Sequence, residues 1–499
     1  MHKKLSMILL FVFFSVPQTA WFCGALPALA ETIVDTAWVR RYNGLGNGED
    51  AAWDIAGDDS GNVYVTGKSY GGATADDYLT IKYAPDGTEL WAQTYNGAGD
   101  PPDEARALAV DDSGNVYVAG SSGTIKYDAG GNEVWILPWG GVDIALDKSN
   151  NVYVTGGGLD YVTIKYYPDG ETAWVRTYDG PGNGPDKARS VAIDDSGNVY
   201  VTGWSVGSGT YDDYATIKYY PNGDTAWVRR YNGAGNWVDW AYDLAVDDSG
   251  NVYVTGALNE GGTDQNYGTI KYYPDGVIAW VRKYDGGVNS DDEAVAITMD
   301  VSGNVYISGM SVGMGWDYAT IKYYPNGDTA WLRRYDGPAN DWDWSYDIAV
   351  DDSGNVYVTG FSQGTGTFWD YTTIRYDPNG DIAWVETYDG PKNSYDAALA
   401  IAVDDFGNVY VTGFSEDIGT GRDYATIKYV QTDALRGDAN GDWVISSADI
   451  VYLINYLFVN GPAPDPLWVG DANSDGVLDI ADVVYLINYL FAGGPPPSG

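Results

Sequence analysis

Residues 58–67 read DDSGNVYVTG, and this stretch decides the fold because its second half is a repeated phrase. The phrase GNVYVTG starts at Gly61. Close variants of it start at Gly114, Asn150, Gly197, Gly250, Gly303, Gly354 and Gly407. Most of these eight copies lie 51 to 53 residues apart. A fixed period of this length predicts an array of similar structural units.

Each full unit contains four strand-like segments, all rich in the Val, Ile, Thr, Tyr and Trp that suit a packed, pleated surface. Turn sequences separate the segments, with Asp-Asp-Ser-Gly at 58–61 and Pro-Asp-Gly at 85–87 as the first examples. The four segment types are WDIAGDD from Trp53, NVYVTG from Asn62, YLTIKYAPDG from Tyr78 and AWVRRYNG from Ala37. Four antiparallel strands in roughly 50 residues predict the blade of a β-propeller.

The two ends of the array predict a closed ring. A lone fourth segment, residues 37–42, precedes the first full unit, and the last unit stops after its third segment at Tyr429. The N-terminal strand can therefore complete the last blade, which leaves no unpaired sheet edge. The alternative is an open string of sheets, which would need capping units. We predict an all-β, eight-bladed β-propeller with four antiparallel strands per blade, followed by a small helical domain.

The repeats resemble the SBBP-type β-propeller repeat of secreted bacterial proteins. The resemblance covers residues 36–429 and rests on GNVYVTG and on phrases such as DYATIKYYPNG at 317–327. The family name implies seven blades, whereas this chain contains eight repeats. The resemblance implies a fold and says little about activity.

The first 30 residues predict a cleaved signal peptide. A basic start with Lys3 and Lys4 leads into an apolar run over 5–16, and Ala-Leu-Ala at 28–30 has the pattern of a cleavage site. The apolar run is shorter than the ~20 residues that span a bilayer. We therefore expect a secreted, extracellular protein that does not insert into a membrane. Association with the cell surface is an open alternative.

Composition excludes several classes of chemistry. The single histidine, His2, and the single cysteine, Cys23, both lie in the predicted signal peptide. The remaining chain therefore has no Ser-His-Asp or Cys-His catalytic system and no His- or Cys-ligated metal site. With 27 basic and 70 acidic side chains, the formal net charge of −43 also argues against a nucleic-acid partner.

A duplication near the C-terminus predicts two calcium-binding loops. The stretch RGDANGDWVISSADIVYLINYLF from Arg436 returns as VGDANSDGVLDIADVVYLINYLF from Val469. Each copy spaces acidic, amide and hydroxyl side chains as a calcium loop does, and a helix follows. The candidate ligands are Asp438, Asn440, Asp442, Ser446 and Asp449 with the Val444 carbonyl, and Asp471, Asn473, Asp475, Asp479 and Asp482 with the Val477 carbonyl. We predict two Ca²⁺ ions; the alternative is a metal-free helical hairpin with acidic turns.

This duplicated region resembles a type I dockerin over residues 436–491. The resemblance implies a cohesin-type protein domain as partner, with residues 447–448 and 480–481 helping to choose it. Trp443 stands where Gly usually makes the turn of the loop, so we expect the first site to be weaker or distorted. The predicted domains are the signal peptide 1–30, the propeller 31–430, a linker 431–436, the dockerin-like domain 437–492 and a disordered tail 493–499.

The variable loops of the propeller carry aromatic rings beside carboxylates, an arrangement that can stack on and hydrogen-bond a sugar. The candidates are Trp237, Trp240, Asp243, Trp342, Trp344 and Asp347. Trp204, Trp316 and Trp369 are expected in neighbouring loops. The alternative is that these rings pack between blades.

Asp54, Asp143, Asp243 and Asp347 occupy the same position of the first segment in alternate units. They predict a ring of carboxylates around the axis, which is either a cation or polar-ligand site or a set of caps for backbone N–H groups. A lysine or arginine in every TIKY phrase, first Lys82, predicts structural ion pairs.

These observations favour a secreted, non-catalytic binding or scaffold protein. Its propeller would bind a glycan, such as a polysaccharide, or a protein, and its dockerin would tether it to a cohesin. Two alternatives stay open. One is a polysaccharide hydrolase or lyase that uses carboxylates or tyrosines on the loop face, and the other is a structural or adhesive surface protein.

Overall fold

The computed structural model describes residues 30–72, 75–98, 102–261, 264–287, 291–313, 315–442, 444–459, 461–464, 467–474 and 477–497. The predicted signal peptide lies outside these residues except for Ala30, and so do Trp443 and Asp475. No helix within the described ranges is both long and apolar enough to cross a membrane.

The described residues form 32 strands and three helical segments. The strands are β1 (Ala30–Tyr42), β2 (Ala51–Gly57), β3 (Val63–Tyr70), β4 (Asp76–Tyr83), β5 (Glu89–Tyr95), β6 (Ala105–Val110), β7 (Val116–Gly120), β8 (Thr124–Tyr127), β9 (Glu133–Leu137), β10 (Asp143–Leu146), β11 (Val152–Gly156), β12 (Tyr161–Tyr166), β13 (Thr172–Tyr178), β14 (Asp186–Ile193), β15 (Val199–Val206), β16 (Asp212–Tyr219), β17 (Thr225–Tyr231), β18 (Trp240–Val246), β19 (Val252–Asn259), β20 (Gln265–Tyr272), β21 (Ile278–Tyr284), β22 (Glu293–Met299), β23 (Val305–Val312), β24 (Trp316–Tyr323), β25 (Thr329–Tyr335), β26 (Asp343–Val350), β27 (Val356–Gln363), β28 (Trp369–Tyr376), β29 (Ile382–Tyr388), β30 (Asp396–Val403), β31 (Val409–Asp417) and β32 (Gly421–Leu435). The helices are α1 (Ser447–Val459) and α2 (Ile480–Ala492), with a 3₁₀ turn at Leu467–Gly470.

The strands build eight four-stranded sheets within the described ranges, so the predicted eight-bladed β-propeller is confirmed. Blades 1 to 7 are consecutive groups of four strands, from β2–β5 to β26–β29. Blade 8 has the order β1-β32-β31-β30, so the N-terminal strand is the outer strand of the last sheet. This pairing confirms the predicted closure.

The first strand of each blade lies innermost. These strands contact each other in sequence around the ring, and β30 of blade 8 contacts β2 of blade 1. The turns between first and second strands and between third and fourth strands form one face, here called the turn face. The remaining loops form the opposite face, here called the loop face. The second and third strands of blades 2 and 3 are shorter than those of the other blades.

Hydrogen bonds explain the repeated DDSGNVY phrase. The Asp58 carboxylate accepts hydrogen bonds from the backbone N–H of Ser60 and Asn62 at 3.0 and 2.9 Å and from the Tyr64 hydroxyl at 2.8 Å. Gly61 closes the turn at φ 74°, a conformation that favours glycine. Burial raises the pKa of Asp58, but these hydrogen bonds outweigh it and hold that pKa below its ordinary value. The phrase is therefore a self-contained hairpin turn.

Neighbouring blades are joined by the fourth-strand tryptophans. The Trp38 indole donates a hydrogen bond to the Pro85 carbonyl of the next blade at 3.1 Å. The Lys82 ammonium lies 4.7 Å from the centre of the Tyr64 ring and 3.9 Å from the Asp58 carboxylate. The Lys82 ammonium also donates to the Ala129 carbonyl of the next blade at 3.4 Å. This lysine therefore contacts a tyrosine ring and, at a shorter distance than the aspartate of the predicted ion pair, a carbonyl of the next blade.

The chain divides into two compact units at Thr432–Asp433. The propeller unit spans Ile33–Thr432, and residues 30–32 belong with the second unit. Residues 431–435, which we expected to form a linker, are instead the end of β32. The Gln431 side chain accepts a hydrogen bond from the Trp384 indole at 3.0 Å, in the place that a proline-turn carbonyl takes in most other blades.

The second unit has an apolar core between its two helices. Leu453 and Leu486 are fully buried there with Ile450, Val483 and the loop residues Ala439 and Ala472. Residues 493 and 496 of the predicted disordered tail contact α2. Gly493 caps α2 at φ 69°, and the Tyr485 hydroxyl donates to the Pro496 carbonyl at 3.2 Å. Tail residues 498 and 499 lie outside the described ranges.

Candidate functional site

The first acidic loop brings its predicted ligands together around the start of α1. The Asp449 carboxylate is fully buried and accepts hydrogen bonds from the N–H of Ser446 at 2.8 Å and of Asn440 at 3.1 Å. Asp438 accepts from the N–H of Asp442 at 3.1 Å. Burial raises the pKa of Asp449, and the nearby carboxylates of Asp438 and Asp442 add to the rise. A cluster of this kind favours a bound cation.

The second loop repeats this arrangement around the start of α2. The Asp482 carboxylate is fully buried and accepts from the N–H of Asp479 at 2.8 Å and of Asn473 at 3.2 Å. Asp479 in turn caps α2 by accepting from the Ala481 N–H at 2.6 Å. Arg436 forms an ion pair with Asp471 at 3.3 Å, which ties the start of the first loop to the second. Asp475, the third predicted ligand side chain of this loop, lies outside the described residues.

The donor set fits calcium. Its members are carboxylate, amide and hydroxyl oxygens, and Val444 and Val477 occupy the seventh position of each loop, where a calcium loop uses a backbone carbonyl. Hard oxygen ligands in a flexible loop are what Ca²⁺ prefers. The residues at loop positions 9 and 12 also form the helix caps, so ion binding and helix formation share the same side chains.

On the loop face of the propeller, the four tryptophans predicted to bind a ligand form two groups that differ in how closely they are packed. Trp237 and Trp342 are about half exposed, at 49% and 50%. Trp237 stacks on Tyr211, which is 56% exposed, with ring centres 5.2 Å apart and planes 2° apart. Trp342 stacks on Trp316 at 6.0 Å. These rings present flat aromatic surfaces to solvent.

Trp240 and Trp344 are packed more closely against their neighbours. The Trp240 indole donates to the Asp212 carboxylate at 2.9 Å, and its ring contacts Trp204 at 5.8 Å. Trp344 lies between Trp316 and Tyr346, with centre distances of 5.3 and 5.8 Å. The packing interpretation therefore holds for these two rings.

Trp204, Trp316 and Trp369 lie at the loop ends of strands and not in the loops, where we expected them. The loop face also contains aromatic residues that the sequence analysis did not single out: exposed Tyr211 and Phe368, partly buried Tyr346 and Tyr395, and buried Phe361. Single aromatic residues in a β-protein carry no distinguishing signal, because most of them are core residues.

The four axial aspartates join blades in pairs. Asp54 accepts from its neighbour Ile55 N–H at 2.8 Å and from Leu108 N–H of blade 2 at 2.7 Å. Asp143, Asp243 and Asp347 make the same pair of contacts, reaching Val191, Ile297 and Ile401 of the following blades. Asp243 also accepts from the Ser190 hydroxyl at 2.8 Å. The alternation in sequence thus has a structural cause, since each carboxylate serves two first strands.

Burial raises the pKa of Asp54 to about 7, and the carboxylates of Asp143 and Asp347 add to the rise. Burial likewise raises the pKa of Asp143 and Asp347 to about 7, with Asp243 as an additional repulsive charge in both cases. All four residues are partly exposed to solvent. Each of the four carboxylates accepts two backbone N–H hydrogen bonds, so its main role is to cap these N–H groups.

A second set of aspartates, not recognised in the sequence, organises the loop face. Asp50 accepts from the N–H of Gly44 at 2.8 Å and of Tyr70 at 2.9 Å, which joins two loops. Asp186, Asp239, Asp292, Asp343 and Asp396 do the same, and all six are at most 1% exposed. The sequence feature that could have identified these aspartates is a glycine six residues before each of them.

Two cavities lined by described residues lie on the turn face. The larger holds about 270 Å³ and is lined by Asp58, Asp111, Lys82 and neighbouring turn residues of blades 1 and 2. Its walls are the hydrogen-bonded turns that every blade repeats.

The closed ring of eight blades and the paired acidic loops define the class of protein: an eight-bladed β-propeller followed by a small helical domain with two acidic loops. Residues 436–491 match the type I dockerin domain. Residues 177–209, 226–257 and 334–366 match the SBBP β-propeller repeat. The chain therefore contains SBBP β-propeller repeats and a type I dockerin domain, as the sequence predicted. Type I dockerin domains are extracellular modules that bind calcium and cohesins.

Solved structures agree with the fold. The propeller of Dos1 is 11% identical, with a TM-score of 0.50, and the match covers 78% of this chain and 95% of that chain. Sqt1 from Chaetomium thermophilum is 11% identical, with a TM-score of 0.53, and the match covers 80% and 99%. Likeness at this identity shows the fold alone. Among curated proteins, no match to this chain is found.

Proposed function

We propose that this protein is a secreted, non-catalytic binding module whose propeller binds a glycan or protein ligand and whose dockerin tethers it to a cohesin-bearing partner. The observation that carries the proposal is the joining of a dockerin domain to a propeller that exposes stacked aromatic rings on its loop face. A rigid scaffold with exposed rings on variable loops suits binding of an extended ligand.

For the tether, we propose two Ca²⁺ ions held by the twelve predicted ligands of the two loops. Buried Asp449 and Asp482 would each bind an ion at the start of a helix, and the helices would then be fixed for docking. Both helices expose apolar side chains at equivalent positions: Val451, Ile454 and Phe458 in α1, and Val484, Ile487 and Phe491 in α2. Exposed apolar patches of this kind are typical of protein interfaces.

The tether is tested by capture of the full-length protein on immobilised cohesin domains of several types. We expect capture in Ca²⁺, loss of capture in a chelator, and at least tenfold weaker capture for Phe458→Ala combined with Phe491→Ala. Tyr324→Ala is the matched control, since this ring is 49% exposed but lies on the propeller. Capture that is unchanged by the chelator and equally strong for the double variant would contradict the proposal.

For the propeller, we propose a polysaccharide as the ligand that best fits the exposed rings. Trp237 and Trp342 are each about half exposed, and a sugar ring can stack on such a surface. Binding to a panel of soluble plant and bacterial polysaccharides should weaken at least tenfold in Trp237→Ala and Trp342→Ala. It should be unchanged in Tyr324→Ala, whose ring lies on the turn face. If all three variants bind the polysaccharides equally well, Trp237 and Trp342 are not part of the binding site.

The carboxylates of the loop face support a non-catalytic role. Burial raises the pKa of Asp239 and Asp343 to about 6, a range that suits a general acid. Both side chains are at most 1% exposed, however, and both accept two backbone N–H groups. Release of reducing sugar from any polysaccharide of the panel would contradict this part of the proposal.

A further inference from the structure

Three blades neutralise a buried aspartate of the third strand with an arginine of the fourth strand. Asp213 of blade 4 pairs with Arg230 at 2.8 Å, and Asp317 of blade 6 pairs with Arg334 at 2.6 Å. In blade 8, Arg41 lies 3.3 Å from Asp423. A guanidinium therefore occupies the same place beside the third strand in each of these blades.

Blade 7 keeps the aspartate but lacks the arginine. Its third-strand aspartate is Asp370, and Thr387 stands where the arginine should be. The strand register shows the equivalence, because Thr387 pairs with Thr372 as Arg230 pairs with Ala215. Among the described residues, no lysine or arginine forms an ion pair with Asp370.

Asp370 is a buried carboxylate with an unsatisfied oxygen. It is 7% exposed, and its Oδ2 accepts from the Thr367 hydroxyl at 2.7 Å. Its Oδ1 has no hydrogen-bond partner, as is also true of Asp213, Asp317 and Asp423, so the absence of an arginine is what distinguishes Asp370 from these three. A buried charge without a counter-charge is costly in free energy.

Two further carboxylates converge on Asp370. Oxygen atoms of Asp370, Asp389 and Asp396 all lie within 4.8 Å of one another. Asp396 is fully buried and held by the N–H groups of Gly390 and Glu416. Asp389 is exposed, so the cluster is open to solvent on one side. Burial raises the pKa of Asp370 to about 6, with the repulsion of Asp389 and Asp396 as a further cause.

The corresponding cluster in blade 6 contains a cation already. Asp317, Asp336 and Asp343 have the same mutual distances, and there Arg334 contacts Asp317. A third cluster, Asp160, Asp179 and Asp186, also has a threonine in the arginine position, but Asp160 is only partly buried. The cluster of blade 7 is thus the one in which burial is deepest and the positive charge is missing.

We propose that Asp370, Asp389 and Asp396 bind a divalent cation, with Ca²⁺ as the ion their oxygens suit best, at the place where blades 4, 6 and 8 use an arginine. Three carboxylates offer hard anionic oxygens, and the remaining ligands of a calcium ion would be water on the open side. This site lies in the propeller and does not depend on the calcium loops of the dockerin.

The test counts Ca²⁺ ions bound per full-length chain by equilibrium dialysis. Thr387→Arg would supply the missing guanidinium, and Asp389→Asn would remove the exposed ligand. We expect one ion fewer than in the unmodified chain for each variant, while the ions of the dockerin remain. Asp336→Asn is the control, because it alters the cluster that Arg334 already neutralises, and it should leave the count unchanged.

If Thr387→Arg and Asp389→Asn both bind as many Ca²⁺ ions per chain as the unmodified protein, the proposal is overturned. If Thr387→Arg fails to fold, as judged by circular dichroism, Asp389→Asn alone decides, since its side chain is exposed and similar in size. A drop of one ion in Asp389→Asn but equally in Asp336→Asn would also overturn it, because the loss would then not depend on the missing arginine.

Discussion

At the scale of single residues, the repeat is built from polar side chains that satisfy backbone groups. Asp58 and its equivalents close the hairpin turns, Asp50 and its equivalents join the loops, and Asp54 and its equivalents join first strands. The same residue type thus has three structural roles, which explains how so acidic a chain can fold.

The axial carboxylates should make stability depend on pH. The folded pKa of about 7 for Asp54 lies above its ordinary value of 3.8, so the folded state binds more protons between these values. This contribution to stability is present at low pH and is lost as the pH rises through about 7. At constant Ca²⁺, the melting temperature should therefore fall from about pH 5 to about pH 8, and fall less in Asp54→Asn. Equal slopes in Asp54→Asn and the exposed control Asp59→Asn would contradict this.

Gly87 shows where the repeat requires glycine. Its φ is 79°, and a Cβ there would lie 2.8 Å from the Trp38 ring and 2.7 Å from Arg40. Gly209 has a φ of 93° but open space around it. Gly209→Ala should cost about 1 kcal/mol for the backbone alone. Gly87→Ala should cost more, because the blade contact must also shift; chemical denaturation measures both, and equal losses would show that the contact gives way easily.

At the scale of elements, the helices of the dockerin depend on the loops before them. Asp482 accepts from the Asp479 N–H and Asp479 from the Ala481 N–H, so these two proposed calcium ligands are also the caps of α2. A bound ion would therefore stabilise the start of α2, because it would offset the repulsion between the two carboxylates that lie there.

Calcium removal should selectively unfold this element. Addition of a chelator to the full-length protein should expose residues 436–491 to proteolysis while the propeller stays intact, because the two units are separately compact. Asp482→Ala should give the same cleavage pattern at a calcium concentration that protects the unmodified chain. Complete protection in the chelator would show that the loops need no ion.

At the scale of the whole molecule, the ring is closed by a strand from the opposite end of the chain. Trp38 of β1 contacts Tyr83 at 5.9 Å and Tyr410 at 6.2 Å, and most other fourth-strand tryptophans likewise contact two tyrosines. Closure therefore forms a blade contact of the ordinary kind.

Equal packing predicts equal cost on truncation. Trp38 and Trp227 are both 7% exposed, so Trp38→Ala and Trp227→Ala should each destabilise the propeller by roughly 3–5 kcal/mol. Chemical denaturation of the full-length variants measures both values. A much smaller loss for Trp38→Ala would show that β1 contributes little to the ring.

Local patterns in the chain were enough to predict the blades, their number, the closing strand and the two acidic loops. Each of these features is encoded within one repeat of about 50 residues or by the order of segments at its ends. Only the folded molecule showed that Trp240 and Trp344 are packed while Trp237 and Trp342 are exposed. It also placed Asp370, Asp389 and Asp396 together and brought the Pro496 carbonyl of the tail within hydrogen-bond distance of the Tyr485 hydroxyl. The reason is that such contacts join strands and loops of different segments, and the periodicity of one strand carries no information about its neighbours across a blade.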